Sequence, residues 1–229
     1  MRGVEQIPWA YDAYMALMEA AGFRHWRHWV VKGASGRTLD LGCGTGRNLE
    51  LFAEQAEVAG LELDLRMAQR ARRRAPGRPL VVASAEDLPF RPGAFETVVS
   101  SLVFCSVREP ELGLLEVRRV LDADGKLRML EHVRSAWAPL ARLQDLIQPL
   151  WTRVSGGCHP NRDTELAVER AGFTIDRSSR RARGTMRCFT ARPVVAGQTR
   201  ERFPPRRSAS LHRLAGSVSG PTGSNGPTR

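Results

Sequence analysis

An apolar strand that runs into a glycine-rich turn is the feature that most constrains this fold. Residues 38–48 read TLDLGCGTGRN, with an acid, Asp40, near the strand end and glycines at positions Gly42, Gly44 and Gly46. Glycine permits a sharp turn and lets a bulky ligand approach the backbone without a Cβ atom in the way. The turn is expected to lead into a helix, whose first N–H groups lack partners. Since open α/β sheets bind ligands at the carboxyl ends of their strands, the segment predicts an α/β fold with a ligand site here.

The spacing of the glycines discriminates between cofactors. The dinucleotide fingerprint is G-x-G-x-x-G. A start at Gly42 puts Arg47 in the third glycine position, and a start at Gly44 puts Leu49 there. A nicotinamide or flavin dinucleotide is therefore disfavoured, and a turn that merely connects a strand to a helix is the structural alternative.

A second apolar strand also ends in acids. Residues 58–64 read VAGLELD, and Glu62 follows Asp40 by 22 residues (62 minus 40). An acid about 20 residues after the glycine turn accepts hydrogen bonds from ribose hydroxyls in nucleotide-binding folds. Glu62 is therefore the predicted ribose ligand.

Three further segments extend the pattern. Residues 95–107 form a near-continuous apolar run, which is typical of a buried parallel strand. Residues 111–121 alternate at helical period, and residues 126–133 predict a fifth strand.

Four segments in this order carry a family resemblance. Residues 40–46 (DLGCGTG) resemble motif I of the class I S-adenosylmethionine-dependent methyltransferases. Residues 80–90 (LVVASAEDLPF), 118–125 (RRVLDADG) and 131–133 (EHV) are similar to later landmarks of that family. The resemblance implies that the glycine turn wraps the amino-acid end of S-adenosylmethionine, whose ammonium suits an acid and whose carboxylate suits free amides.

The resemblance also implies contacts with the rest of the cofactor. It places Met67 beside the adenine and puts Ala85 and Glu86 in the loop that reads the adenine edge, while Ser84 stands where many relatives have Asp. The predicted cofactor-binding residues are Asp40, Gly42, Cys43, Gly44, Gly46, Asn48, Glu62, Leu63, Met67, Ala85 and Glu86.

The family's architecture is the predicted fold. It is a Rossmann-like three-layer α/β sandwich with a seven-stranded, mostly parallel sheet and one antiparallel strand. Strands near residues 174–177 and 185–191 would complete that sheet.

Two subgroups of the family share these motifs. Residues 102–107, 131–133 and 157–162 are similar to the methyltransferase-like thiol S-methyltransferase group, and the core motifs also resemble ubiquinone/menaquinone-type methyltransferases. Eukaryotic members of the first group have a membrane-inserting N-terminal segment that this sequence does not match. Membrane association is therefore not carried over.

Three regions are predicted. Residues 1–36 form a helical lid broken near Gly22, residues 37–193 form the methyltransferase domain, and residues 194–229 form a disordered tail rich in Arg, Ser, Pro and Gly.

Two helical segments flank the expected substrate mouth. Residues 138–151 are predicted to form a second wall of the cleft, interrupted at Pro149. A later helix is predicted to start at Asn161.

The net charge of +11 raises the possibility of a nucleic-acid partner. Much of the charge lies in the predicted tail, and the arginine-rich residues 70–74 are expected to form the exposed end of a helix. Methyltransferases that modify nucleic-acid bases have an (Asp/Asn)-Pro-Pro-(Tyr/Phe) signature at this place in the family pattern, whereas residues 100–103 read SSLV. Binding to nucleic acid is therefore disfavoured.

Hydropathy and cysteine content argue against a membrane-spanning, secreted or metal-binding protein. No uninterrupted apolar stretch of about 18 residues occurs, so no transmembrane segment is predicted. The N-terminus lacks the apolar core of a secretion signal. The four cysteines are scattered without a C-x-x-C pair, which predicts no metal site and favours a reducing cytoplasm.

His132 is the candidate catalytic base. It lies at the end of the predicted fifth strand, and an imidazole titrates near neutrality. A structural histidine beside the cleft is the alternative. Cys105 and the polar loop at residues 156–162 are expected near the same mouth, as an inert thiol and a turn respectively.

These observations favour a methyltransferase that acts on a small, partly apolar acceptor with a thiol, hydroxyl, amine or quinone-like carbon. We expect a monomer or homodimer. A nucleic-acid methyltransferase and a non-catalytic cofactor-binding protein of the same fold are the alternatives.

Overall fold

A seven-stranded sheet forms the centre of the protein. The computed structural model describes Gly3 and residues 6–194. The strands are β1 (Thr38–Leu41), β2 (Val58–Glu62), β3 (Leu80–Val82), β4 (Phe95–Ser101), β5 (Leu121–His132), β6 (Phe173–Arg183) and β7 (Met186–Pro193). The helices are α1 (Pro8–Met18), α2 (Arg24–Lys32), α3 (Leu65–Arg74), α4 (Pro110–Val120), α5 (Ala138–Ser155) and α6 (Thr164–Arg170).

The strand order is β3-β2-β1-β4-β5-β7-β6, and β7 runs antiparallel to both of its neighbours. Strands β1 to β5 pair in parallel. The predicted seven-stranded, mostly parallel sheet is therefore confirmed. Its strand order reverses at β1, which is where a crevice opens at the carboxyl ends of the strands.

Alternate residues of the central strands belong to different cores. Val98 and Met129 pack in the core that contains apolar side chains of α4 and α6. Their neighbours Val99 and Leu130 pack in a second core with side chains of α1 and α2. Because side chains alternate across a strand, helices cover both faces of the sheet.

The N-terminal helices are broken where the sequence predicts. A π-helical turn, Glu19–Phe23, joins α1 to α2, and Gly22 adopts a φ of +103°. That value lies in the left-handed region, which favours glycine.

The helix expected after the glycine turn does not form. One 3₁₀ turn, Leu49–Leu51, follows the glycines, and extended backbone at Phe52 ends it. A 3₁₀ turn therefore follows the glycines, and no α-helix begins between them and β2.

Two predicted helix boundaries are also wrong. Helix α6 starts at Thr164 because Asp163 caps it, accepting from the Leu166 amide, and Asn161 lies before the cap. Helix α5 continues through Pro149, which is exposed, so the missing hydrogen bond lies on the solvent side.

None of the helices in the described part of the chain has both the length and the apolar character to cross a bilayer. The predicted tail lies outside the described residues from residue 195 onward.

Candidate active site

A cleft of about 620 Å³ opens at the carboxyl edge of the sheet, beneath α1 and beside the end of α5. It receives predicted site residues from β2, β5 and the loops that follow β1, β2 and β3. The predicted residues that line it are Gly42, Gly44, Glu62, Leu63, Met67, Ala85, Glu86 and His132.

The three glycines of the turn have different roles. All have positive φ, at +59° for Gly42, +58° for Gly44 and +85° for Gly46. A Cβ atom at Gly42 would lie 2.6 Å from Val103, and one at Gly46 would lie 2.9 Å from the Cα atom of Ala71. These two glycines therefore permit close packing. A Cβ atom at Gly44 would project into open space with only Tyr11 near it, at 3.8 Å. Because Gly44 has no side chain, this part of the cleft stays open.

Glu62 connects the glycine turn to the loop after β2. Its carboxylate accepts from the amides of Gly44 and Asp64, both at 2.9 Å. Burial raises the pKa of Glu62 above its ordinary value, while the amide hydrogen bonds oppose that shift. Glu62 is therefore an acid held in a fixed position in the cleft wall.

Four predicted cofactor residues lie behind the cleft surface. Cys43 packs in a small core against α3, and Gly46 contacts the same helix. Asp40 is fully buried, and its Oδ1 accepts from Asn48 at 2.7 Å. Asn48 accepts in turn from Arg27 at 2.7 Å.

The second carboxylate oxygen of Asp40 lacks a partner. Its Oδ2 has no hydrogen-bond partner within the described chain. Burial raises the pKa of Asp40 to about 7, and the Asn48 hydrogen bond opposes the shift. An unpartnered buried carboxylate oxygen next to a ligand turn suits a cationic ligand group.

Loop contacts fix the far end of the cleft. Asp64 caps α3 by accepting from the amides of Arg66 and Met67. Glu86 accepts from the Glu109 amide at 2.7 Å and pairs with the Ser84 hydroxyl at 3.3 Å. The loop after β3 is therefore connected to the start of α4.

His132 lies beside a pair of thiols at the other end of the cleft. Its Nδ1 is 3.9 Å from the Cys158 sulfur, and Cys105 and Cys158 both line the cleft. Hydrogen bonds from Cys105, then from His132 and Trp151, lower the pKa of Cys158 to about 5 against the opposing effect of burial. The structure thus brings Cys105 and the loop at residues 156–162 to the site, where the Cys158 sulfur lies beside the His132 ring.

Glu131 is a residue that sequence reasoning missed. It is fully buried and accepts from the Ser100 hydroxyl at 3.0 Å and from the Val103 and Phe104 amides at 3.1 and 3.2 Å. It thereby supports a loop in which Leu102 has a φ of +60°, a strained value for leucine. An acid inside an otherwise apolar strand is the signal that could have revealed it.

Asp12 of α1 was also missed. Its carboxylate accepts from Thr45 at 2.8 Å, Arg47 at 3.2 Å, Arg70 at 3.0 Å and Arg74 at 2.9 Å. Residues 70–74 end α3 as expected, with Arg70, Arg72 and Arg73 exposed, but Arg70 and the half-buried Arg74 also pair with Asp12. They help to fasten α1 to the glycine turn, and nothing in local spacing predicts this.

His25 and His28 lie on the exposed surface of α2. Within the described ranges, no group of three or more His, Cys, Asp or Glu side chains could hold a metal ion.

Comparisons with known proteins agree with this geometry. The family profile described as a methyltransferase domain matches residues 39–129. Human thiol S-methyltransferase TMT1B is 35% identical over 154 residues, and the match spans 63% of each protein, so this chain covers less than two thirds of that relative. Human thiol S-methyltransferase TMT1A is 32% identical over 174 residues, which is 72% of this chain and 70% of the relative.

A solved structure from Thermotoga maritima shares the fold. It is a SAM-dependent methyltransferase described as a possible histamine N-methyltransferase, and it is 20% identical with a TM-score of 0.64 over 82% of this chain and 96% of that chain. The sheet topology, the glycine turn and these matches lead to one conclusion: the chain belongs to the class I S-adenosylmethionine-dependent methyltransferases, whose methyl donor is S-adenosylmethionine.

Proposed function

We propose that this protein transfers a methyl group from S-adenosylmethionine to a small, partly apolar acceptor. The observation that carries the proposal is the open wall at Gly44 next to the half-buried carboxylate of Glu62. A side chain at position 44 would occupy this space, and the acid beside it suits a ligand with hydroxyl donors.

The cleft residues fit the cofactor from one end to the other. Gly42 and Gly44 would hold its amino-acid end, Glu62 would accept from the ribose, and Met67 would lie against the adenine. Leu63, Ala85 and Glu86 complete the adenine side. The bound cofactor supplies a methyl group activated on a sulfonium.

The residues behind the cleft would support this binding indirectly. Asp40 places a carboxylate near the ammonium end, and Asn48 orients it. Cys43 and Gly46 hold the turn against α3.

Apolar side chains on the acceptor side favour a partly apolar substrate. The cleft lining includes Met15, Met18, Phe23, Leu102, Trp151 and Met186. Such a surface excludes water around the reacting centre and holds the acceptor at near-attack distance, which accounts for much of the rate in an in-line displacement.

We propose a thiol as the first acceptor class to test, because two human relatives are named thiol S-methyltransferases. Hydroxyl, amine and quinone-like carbon acceptors are the other classes. His132 would take the proton that a protic acceptor loses, and Cys158 would orient its ring through Nδ1.

We place the enzyme in a reducing compartment such as the cytoplasm, as a monomer or homodimer. Within the described residues Cys43, Cys105, Cys158 and Cys188 are buried and form no disulfide, which is compatible with that compartment.

The test compares two glycine variants by calorimetry with S-adenosylmethionine. Gly44→Val should abolish cofactor binding. Gly93→Val is the matched control, because Gly93 also has a positive φ, +67°, with open space around it but lies outside the cleft lining. Unchanged affinity in Gly44→Val would contradict the site.

The acceptor is identified by a mass-shift screen. The protein is incubated with thiol, hydroxyl, amine and quinone mixtures and isotope-labelled cofactor. Labelled methyl in a product supports the proposal. Cofactor binding with no product from any class would favour a non-catalytic binding protein.

A further inference from the structure

Helix α5 directs its apolar face outward, whereas an ordinary surface helix directs its apolar face toward the core. The residues that face the protein are small or polar, with Ala141, Gln144 and Ser155 buried. Its outward face is apolar. The exposed fractions are 50% for Leu143, 78% for Leu146, 40% for Ile147, 68% for Leu150, 38% for Trp151 and 53% for Val154. We call these six residues the α5 stripe.

Hydrogen bonds fix this orientation of the helix. The Gln144 side chain donates to the carbonyls of Val133 and Pro160 and accepts from the Ser135 amide at 2.7 Å. Thr152 donates to the Cys158 carbonyl at 2.9 Å. Rotation of the stripe toward the sheet would break these bonds and bury their partners unpaired, so the apolar face stays outward.

The stripe is continuous and leads to the cleft. Its positions recur every three or four residues from Leu143 to Val154, which is about 18 Å of helix at 1.5 Å per residue. Trp151 belongs both to the stripe and to the cleft lining. Trp137, 67% exposed, precedes the helix, and Trp9, 75% exposed, lies on α1, which Gln6 connects to the end of α5.

The charges beside the stripe are basic. Arg142 and Arg153 are exposed, and helical spacing puts both along the same edge of the stripe. Asp145, the acid of α5, is already held by Arg134 and Asn161. An antiparallel twofold pairing of two copies along the stripe would set the arginines of one copy against those of the other, which disfavours that arrangement of a second copy.

We propose that the α5 stripe docks on the surface of an anionic lipid bilayer, with Arg142 and Arg153 at the headgroups and the cleft mouth beside the acyl chains. Exposed tryptophans and basic residues around an apolar helix face are the chemistry that an anionic membrane surface binds. If the proposed function holds, a lipophilic acceptor dissolved in the bilayer reaches the cleft past Trp151.

The test is vesicle sedimentation of the full chain without cofactor or acceptor, so its outcome does not depend on methyl transfer. Phosphatidylcholine vesicles are used with and without phosphatidylglycerol. Leu146→Glu with Leu150→Glu should weaken binding to the anionic vesicles more than about tenfold, because two leucines lose their burial in the bilayer. Arg142→Gln with Arg153→Gln should weaken binding to anionic vesicles and leave binding to neutral vesicles unchanged.

The matched control is Leu112→Glu with Leu115→Glu on α4. These leucines are 52% and 48% exposed, and the substitutions change the net charge by the same amount as the stripe variant. The control should bind vesicles like the unmodified chain. Circular dichroism and cofactor calorimetry on every variant verify folding.

Three results would overturn the proposal. In the first, the stripe and control variants lose vesicle binding equally, and in the second the stripe variant loses none. In the third, the unmodified chain does not bind vesicles but forms a dimer in sedimentation equilibrium, and the stripe variant is monomeric.

Discussion

Three acids, two buried and one half-buried, organise this site. Asp40, Glu62 and Glu131 lie at or near the carboxyl ends of three strands, and burial raises the pKa of each. Each carboxylate accepts hydrogen bonds from groups distant in sequence or from a loop that lines the cleft. The acids therefore hold the loops in place, and their protonation connects pH to stability.

Glu131→Gln should reduce the dependence of stability on pH. Burial raises the pKa of Glu131 from its ordinary value of 4.5 to about 7. The folded state thus binds this proton more tightly than the unfolded state, and the free energy of unfolding falls as pH rises between those two values. A shift of that size corresponds to about 3 kcal/mol.

Urea unfolding on either side of that range measures the effect. Asp40 contributes with the same sign, so the slope in Glu131→Gln should shrink but persist. Glu111→Gln, at an exposed glutamate on α4, is the control and should keep the full slope. The same slope in Glu131→Gln and the control would contradict the assignment.

His132→Ala should lower kcat for a protic acceptor by about 10²–10⁴-fold, because proton removal loses its base. The pH profile of kcat should flatten with it. His28→Ala, on the exposed face of α2, should keep the profile of the unmodified enzyme. Near-normal turnover of His132→Ala across the pH range would remove His132 from the mechanism.

At the scale of elements, α1 is fastened to the glycine turn by one carboxylate. Asp12 accepts from Thr45 and Arg47 of the turn and from Arg70 and Arg74 of α3. The helix also places Tyr11, Tyr14 and Met15 in the cleft wall. The lid is thus positioned by the same loop that is proposed to bind the cofactor.

Asp12→Ala should destabilise the fold by about 1–3 kcal/mol, since Thr45 loses its acceptor and Arg47 keeps only Glu19 as its acid. It should also raise the cofactor Kd, because the turn loses the Asp12 carboxylate that ties it to α1. Thermal unfolding and calorimetry measure the two effects. Asp124→Ala, at an exposed acid near the start of β5, is the control, and equal effects in both variants would refute the role of Asp12.

At the scale of the whole molecule, cofactor binding and folding should be linked. A ligand that binds only the folded state at roughly 100 times its Kd raises the free energy of unfolding by about 2.7 kcal/mol. S-adenosylmethionine should therefore raise the Tm of the unmodified chain and of Gly93→Val but leave that of Gly44→Val unchanged. An equal rise in Gly44→Val would place the cofactor elsewhere.

The net charge of +11 belongs to the same scale. Several of its arginines serve within the domain, as Arg47 and Arg74 do with Asp12 and Arg128 does through the Val30 carbonyl. A high arginine content here reflects internal contacts as well as surface charge.

Local pattern in the sequence predicted the central apolar strands, the break at Gly22 and the glycine turn with Glu62, because apolar runs, turn glycines and strand-end acids are properties of short segments. The complete seven-stranded sheet followed from the family resemblance. Tertiary structure alone decided the partners of Asp12, the support of the β4 loop by Glu131 and the outward apolar face of α5. These depend on contacts between residues far apart in the chain, such as Asp12 with Arg70, and on which face of a helix its neighbours can hydrogen-bond. Periodicity places apolar residues on one side of α5, but only the packed fold shows that this side faces outward.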